Sequence, residues 1–217
     1  TLAKEMKGQG EIQVVLEQST PITKRTQTFK YGEGPRLVMQ VIEAVVPGSA
    51  KDFIKEELLD KLGITTYGWR SNDLSGLPES GWRTTMTSRA MVKFGTLAMN
   101  KGTWQGEQLI PEAFMTDATS RLVYTGDDHV HFGGKDVSNQ GYGYFWWGVD
   151  LKVGNKSYYG ASAQGGNGQV IMLIEELDLI VVHTADDNNT AYKQIIAEKI
   201  LPAFIQETNV TISNAVE

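Results

Sequence analysis

Cysteine is absent from the 217-residue sequence, and so are several other features that would point to a class of function. Without cysteine, disulfides and thiolate metal sites are excluded. No apolar stretch approaches the roughly 18 residues that a membrane helix needs, so no membrane span is predicted. The net charge is −6 and no basic run occurs, which argues against a nucleic-acid partner. The polar start, residues 1–10, predicts neither a signal peptide nor an anchor.

The sequence does contain enough apolar residues for a sizeable core, since 41% of its residues are hydrophobic. Periodicity and capping signals predict helices over 35–46, 49–62, 87–101 and 191–204, and a short helix after Pro111. Alternating or continuous apolar residues predict strands over 142–149, 156–162, 168–175 and 178–184. Segments 1–28, 64–86 and 120–141 are expected to be irregular or turn-rich. Helices followed by an antiparallel meander and a closing helix indicate an α+β fold, an antiparallel sheet flanked by helices.

The strands over 168–175 and 178–184 are nearly all apolar, so both are expected to be covered on both faces. Before them, the aromatic run Tyr142–Trp147 opens another predicted strand. Side chains alternate between the faces of a strand, so Trp146 and Trp147 should point in opposite directions. One is expected in the core and the other along a cleft.

Candidate metal and cofactor sites are weak. His129 and His131 lie beside two aspartates, but one short H-x-H without a further spaced ligand favours a solvated loop over a metal site. No phosphate-binding G-x-x-x-x-G-K-[ST] motif occurs, and no cofactor is predicted. Gly160–Gln164 nearly matches G-x-S-x-G around Ser162. A nucleophile elbow needs a helix directly after the serine, whereas a strand is predicted here. Packing is therefore favoured over catalysis for Ser162, even with His183 available as a base.

Three glycines, Gly165, Gly166 and Gly168, fall within four residues just before a predicted strand. Glycine weakens a strand, because it has no side chain to pack and loses much backbone entropy on folding. The cluster therefore indicates a bulge, a turn, or backbone that must approach another molecule closely. The residues alone leave these alternatives open.

Four segments in order carry a resemblance to a known family: "FKYGEGPRLVMQVIEAVVPGSAKDFIKEELLDKLGI", "TTMTSRAMVKFGTLAMNKGTWQGEQLIP", "GYGYFWWG" and "GASAQGGNGQVIMLIEELDLIVVHTADD". Together they resemble the serine beta-lactamase-like family of the class C type, which also holds penicillin-binding esterases and 6-aminohexanoate-oligomer hydrolases. The resemblance runs from about Phe29 to about Phe204. It implies a beta-lactamase/transpeptidase-like fold, an acyl-enzyme mechanism on a small ester or amide substrate, and no cofactor.

The resemblance also implies roles for particular residues. Tyr31 in "FKYGEG" matches the tyrosine that assists proton transfer, and Gly166 matches a backbone N–H donor of the oxyanion hole. Substrate contacts are implied for four further residues, Glu33, Trp147, Gln164 and Gly165. Glu33 stands where the family often has asparagine.

The sequence departs from the family pattern in two ways. Ala163 replaces the cation of the family's [KH]-[TS]-G strand, which favours an esterase or amidase over recognition of a beta-lactam carboxylate. No S-x-x-K nucleophile pair occurs in the chain. We therefore expect residues 29–206 to be the C-terminal portion of a hydrolase domain, preceded by an irregular segment, 1–28, and followed by a polar tail, 207–217. A missing N-terminal segment or a homodimer would complete the domain.

The resemblance points to a bacterial periplasmic or secreted location, which the residues themselves leave open. A different class of function also stays open, a non-catalytic binding module for a small molecule or peptide on the same scaffold. In that case the cleft of Tyr31, Trp146 and Trp147 would be kept without catalysis.

Overall fold

An antiparallel sheet of six strands dominates the second half of the chain. The computed structural model describes residues 11–21, 23–24, 29–32, 34–71, 76–78, 80, 84–126, 133–187 and 191–205. The helices and strands are, in chain order, α1 (Glu11–Gln18), α2 (Gly34–Val45), α3 (Ala50–Ile54), β1 (Tyr67–Trp69), β2 (Thr84–Met86), α4 (Ser88–Met99), β3 (Thr103–Trp104), β4 (Glu107–Gln108), α5 (Glu112–Ala118), β5 (Val123–Tyr124), β6 (Val137–Tyr142), β7 (Trp147–Val153), β8 (Lys156–Gln164), β9 (Val170–Ile174), β10 (Leu179–His183) and α6 (Tyr192–Ile195).

The six strands of the large sheet lie in the order β10-β9-β8-β7-β6-β5, and every neighbouring pair is antiparallel. Each strand therefore pairs with the next one along the chain, which is a meander. Two small hairpins, β1–β2 and β3–β4, stand apart from this sheet. The predicted α+β architecture is confirmed. Within the described residues no helix is long and apolar enough to cross a membrane.

Strand β9 is the most deeply buried element, because all five of its residues are buried. Val170, Met172 and Ile174 pack on one face against α6 and the turns that follow it. Ile171 and Leu173 pack on the other face against α4. Successive strand residues point to opposite faces, so a strand covered on both sides must be apolar throughout. The prediction for 168–175 is confirmed over β9.

Strand β10 differs from the prediction, because all five of its residues are only half-buried. Its side chains contact the same two apolar clusters as β9. It is, however, the edge of the sheet, and β9 is its one neighbour among the strands that the structure describes. An edge strand keeps one row of backbone groups and part of each side chain open.

The N-caps that the sequence predicts for two helices, α3 and α4, are confirmed. The Ser49 side chain accepts a hydrogen bond from the Asp52 N–H and donates one to its carboxylate, so Ser49 is the N-cap of α3. The Thr87 side chain accepts from the Ala90 N–H at 3.2 Å and begins α4. Beyond these caps, α3 continues through Lys55–Asp60 and α6 through Ile196–Ile200 with wider, π-type winding.

Four segments were predicted wrongly. The loop-like segment 120–141 contains β5 and most of β6, the turn-rich segment 64–86 contains β1 and β2, and the irregular start contains α1. The predicted strand over 142–149 is interrupted, because 143–146 forms a tight turn closed by a hydrogen bond from Gly143 N to Trp146 O at 2.8 Å. Phe145 takes a left-handed backbone conformation in this turn, with φ of 64°. Such a conformation is uncommon for a bulky residue, so Phe145 gives no sequence signal for it.

The glycine cluster forms the turn that joins β8 to β9. The Gly165 N–H donates to Gln169 O at 2.8 Å, and the Gly168 N–H donates to Gly165 O at 3.3 Å. Gly168 has φ of 87°, which L side chains rarely adopt. The cluster is therefore a hairpin connection, with Gly165 and Gly166 at the rim of the sheet.

Apolar side chains remain exposed on α2. Val38, Val41 and Val45 are 43%, 50% and 73% exposed, while Met39 on the same helix is buried. The apolar face read from the sequence exists, but the described residues leave much of it uncovered. With the open edge of β10, it gives this chain two surfaces that favour association.

The turn predicts different costs for two glycine substitutions. A Cβ on Gly168 would lie 3.0 Å from Asp187 O, on backbone with positive φ, so Gly168→Ala should lower the free energy of unfolding by about 1–2 kcal/mol. Nothing lies within 4 Å of a Cβ on Gly166, so Gly166→Ala should change it by less than about 0.5 kcal/mol. Urea denaturation of the two variants checks this pair, and equal effects would contradict the turn geometry.

The exposed face of α2 predicts self-association. We expect the purified chain, of 24.0 kDa, to sediment as a species heavier than a monomer. Replacing Val41 and Val45 together by lysine should shift it toward the monomer, because charged side chains oppose burial of that face. The control Thr116→Lys, which adds a lysine to an exposed position on α5, should leave the sedimentation coefficient unchanged. A wild-type chain that stays monomeric would contradict this prediction.

Candidate functional site

Tyr31 lies in a cluster of four aromatic rings at one end of the sheet. Its ring centroid is 5.3 Å from that of Trp147 and 6.0 Å from that of Tyr142. Tyr142 and Trp147 are in edge contact at 4.6 Å, and Phe29 contacts both. Edge and tilted contacts of this kind stabilise a pair by about 0.5–1.5 kcal/mol beyond burial. The cluster therefore holds the Tyr31 ring in place although the residue is 63% exposed.

The sequence brings these rings together through the turn between β6 and β7. Tyr142 ends β6, Trp147 begins β7, and the two are paired across the strands. Phe29 and Tyr31 come from the segment that leads into α2 and lie against this pair. Burial raises the pKa of Tyr142 to about 12, so this phenol stays protonated near neutral pH.

The two adjacent tryptophans have the separate surroundings that were predicted, although Trp146 lies in the turn and only Trp147 lies on a strand. Trp146 packs against the apolar cluster between α4 and the sheet, which includes Met91 and Leu173. Trp147 instead contacts Tyr31 and Phe29 in the aromatic cluster. One of the pair thus belongs to the core and the other lies beside the exposed tyrosine.

Ser162 on β8 has a structural role. It is fully buried, opposite Trp147 on one side and Met172 on the other. Its Oγ accepts a hydrogen bond from Gln164 Nε2 at 2.7 Å and lies 3.4 Å from Trp147 O. A hydroxyl that is buried and paired in mid-strand cannot reach a substrate carbonyl, so the preference for packing over a nucleophile is supported. Through Ser162, the side chain of Gln164 is tied to the strand that carries Trp147.

Gly166 lies at the exposed centre of the β8–β9 turn. Of the neighbouring backbone donors, those of Gly165 and Gly168 are used within the turn. Among the residues that the structure describes, no backbone carbonyl accepts a hydrogen bond from the Gly166 N–H. Space is open beside its Cα as well. A backbone N–H with these properties can donate to a bound oxygen atom.

Several residues that the sequence did not single out for this purpose hold the turn in place. His183 Nδ1 lies 2.7 Å from Gly168 O, and the His183 ring stacks on Tyr192 at 5.6 Å. Asn167 Nδ2 donates to the Asp186 carboxylate at 2.7 Å, and the Asp187 N–H donates to Asn167 O. The turn is thus fastened to the chain that leaves β10. His183 reaches the turn because β10 pairs with β9, so no local sequence motif could have revealed this contact.

Lys193, next to Tyr192, is completely buried. Burial lowers its pKa to about 7, because an ammonium group loses more solvation than a neutral amine. Its Nζ lies 5.9 Å from the centre of the Tyr192 ring. Lys193 is therefore a buried ionisable group beside the tyrosine on which the His183 ring stacks.

The predicted site residues are brought together in part. Tyr31 contacts Trp147, and Gln164, Gly165 and Gly166 follow one another at the end of β8. Among the described residues no hydrogen bond joins Tyr31 to this turn. Glu33 lies outside the residues that the structure describes, as do His129 and His131. In the described ranges no group of three or more acidic or histidine side chains is placed to bind a metal ion.

Comparison with known proteins shows similarity in structure only. No protein-family profile matches the sequence, and no curated protein sequence matches it either. A protein described as a 6-aminohexanoate-dimer hydrolase from Bacillus anthracis matches with a TM-score of 0.59 and 17% identity, over 88% of this chain and 46% of its own.

Two penicillin-binding proteins give similar results. The protein from Bacillus halodurans matches with a TM-score of 0.58 and 15% identity, over 94% of this chain and 63% of its own. An octameric penicillin-binding protein homologue from Pyrococcus abyssi matches with a TM-score of 0.59 and 15% identity, over 94% of this chain and 48% of its own. The chain thus spans about half the length of these structures. Its helices and antiparallel meander form part of the beta-lactamase and penicillin-binding-protein fold that the sequence resemblance implies.

Proposed function

We propose that this chain carries part of the active site of a serine hydrolase that acts on an ester or amide through an acyl-enzyme. The observation that carries this proposal is the exposed Tyr31, held by Trp147 at the end of the sheet. The fold supports it, since the similar structures include a hydrolase and penicillin-binding proteins. Nucleophilic catalysis of this kind divides one difficult acyl transfer into two easier steps.

In the proposed mechanism, the substrate carbonyl lies along the β8–β9 turn. The Gly166 N–H donates to the oxygen as negative charge develops there, an interaction whose loss can cost on the order of 3 kcal/mol of transition-state stabilisation. Gly165 has no side chain, so the substrate can approach the backbone closely. The Tyr31 hydroxyl transfers the proton between the nucleophile and the leaving group.

Substrate binding is assigned to three further residues. Trp147 packs against the apolar part of the substrate, and Gln164, fixed by Ser162, offers its remaining amide hydrogen-bonding capacity. Glu33 is proposed to bind a polar group of the substrate, on the family resemblance alone. Ala163 gives no cation for a carboxylate, so the proposed substrate is an uncharged ester or amide. The nucleophile is proposed to be a serine in an S-x-x-K segment of a longer polypeptide.

A binding module without catalysis is the second candidate. It is favoured by further exposed aromatic residues in and beside the turn that joins β6 to β7. Phe114 and Tyr144 stack on each other at 5.4 Å although they are 50% and 44% exposed, and Phe145 is 44% exposed. Aromatic surfaces of this kind bind apolar groups of ligands without chemistry.

A fluorophosphonate probe distinguishes the two candidates. We expect the probe to label a longer polypeptide that contains this chain and an S-x-x-K segment, and to lose labelling when that serine becomes alanine. The 217-residue chain alone should not be labelled, because Ser162 is buried. Absence of labelling on the well-folded longer polypeptide would favour the binding module. Labelling of Ser162 would overturn the assignment of the nucleophile.

The role of Tyr31 is tested in the same active polypeptide. Tyr31→Phe should lower kcat by about 100-fold or more, because it removes the proton-transfer group and keeps the ring that contacts Trp147. Tyr124→Phe, on the exposed edge strand β5, is the matched control and should change kcat by less than twofold. A Tyr31→Phe enzyme with unchanged kcat would show that this residue is only a packing partner.

A further inference from the structure

An open cavity of about 450 Å³ lies at the junction of α3, its π-type continuation and β1. It is formed by elements other than those of the proposed active site. Its wall carries two lysines, one aspartate and two aromatic residues around an aliphatic floor, namely Lys51, Lys55, Asp60, Tyr67, Trp69 and Ile64. The volume falls in the range of small-molecule sites, about 300–1,000 Å³.

The charges in this cavity do not cancel. Lys55 Nζ lies 2.6 Å from the Asp60 carboxylate, so these two side chains neutralise each other. They are five residues apart, at the two ends of the π-type segment, whose hydrogen bonds join residues five apart. Lys51 lies one turn earlier on the same side of the helix. Its ammonium group has no hydrogen bond or ion pair with any residue that the structure describes.

Two aromatic side chains also line the cavity. Tyr67 and Trp69 are two residues apart on β1, so both point to the same face of this short strand. Each is half-buried, which leaves part of each side chain accessible. Ile64 is 3% exposed and closes the floor with aliphatic surface. Flat rings beside one uncompensated cation favour a ligand that is both flat and anionic.

We propose that this cavity binds a small organic monoanion with a flat, ring-shaped body, whose carboxylate pairs with Lys51 and whose ring packs against Trp69 and Tyr67. The site is independent of the proposed hydrolase function. The Lys55–Asp60 pair fixes the helix wall and leaves Lys51 as the group that selects charge. The excess of one positive charge is local, since the chain as a whole has a net charge of −6.

Binding of 2-naphthoate to the 217-residue chain, measured by calorimetry at low salt, tests the proposal. The wild type should bind it, and Lys51→Met should weaken binding about tenfold to hundredfold, the range for loss of one charge-assisted hydrogen bond. Lys51→Arg, which keeps the charge, should bind within about threefold of the wild type. The control Lys152→Met, an exposed lysine on β7, should bind as the wild type does.

The uncharged analogue 2-naphthamide, which has the same ring, separates selection by charge from apolar adsorption. We expect 2-naphthamide to bind the wild type at least about tenfold more weakly than 2-naphthoate does. We expect its affinity for Lys51→Met to equal its affinity for the wild type. Lys51 is exposed, so neither variant should disturb folding, and circular dichroism checks this. No binding of 2-naphthoate to the wild type, or equal binding to Lys51→Met, would overturn the proposal.

Discussion

The burial of β9 from both sides determines how the large sheet and its covering helices pack together. Each of its five apolar side chains is removed from water, and burial of one such side chain contributes about 1.5–3 kcal/mol. That contribution requires two covering layers, α4 on one face and α6 on the other. Because β9 also pairs with β8 and β10, the packing of these two helices fixes the centre of the meander.

The position of the candidate site depends on a row of residues that runs across the sheet from the buried strand β9 to β7. Trp147, Ser162 and Met172 occupy one row across three strands, from the aromatic cluster to the core. The middle position is polar and fully buried, and the hydrogen bond from Gln164 compensates for the loss of water there. The rigid sheet therefore positions both Trp147 and the turn that begins after Gln164. Loops held by a rigid scaffold in this way commonly carry function.

Local signals predicted those parts of the fold that depend on neighbouring residues. The caps at Ser49 and Thr87 and the apolar run of β9 are each contained within a few residues, so the sequence could predict them. The turn at Phe145 could not be predicted, because its left-handed backbone has no glycine or asparagine to mark it. The contact of His183 with the glycine turn could not be predicted either, because it joins His183 to Gly168, 15 residues away, through strand pairing. Tyr31 came from the family resemblance and Trp147 from the aromatic run, and their contact became visible only in three dimensions.

Hydrogen exchange of the backbone amides measures how strongly β9 is protected by its two covering layers. If β9 is the doubly covered centre, the amides of Val170–Ile174 should exchange among the slowest in the chain, at rates set by global unfolding. Those of Val123–Tyr124 at the far edge of the sheet, where both residues are exposed, should exchange much faster through local opening. If β9 exchanges as fast as β5, the two-sided burial of β9 does not organise the sheet and its site.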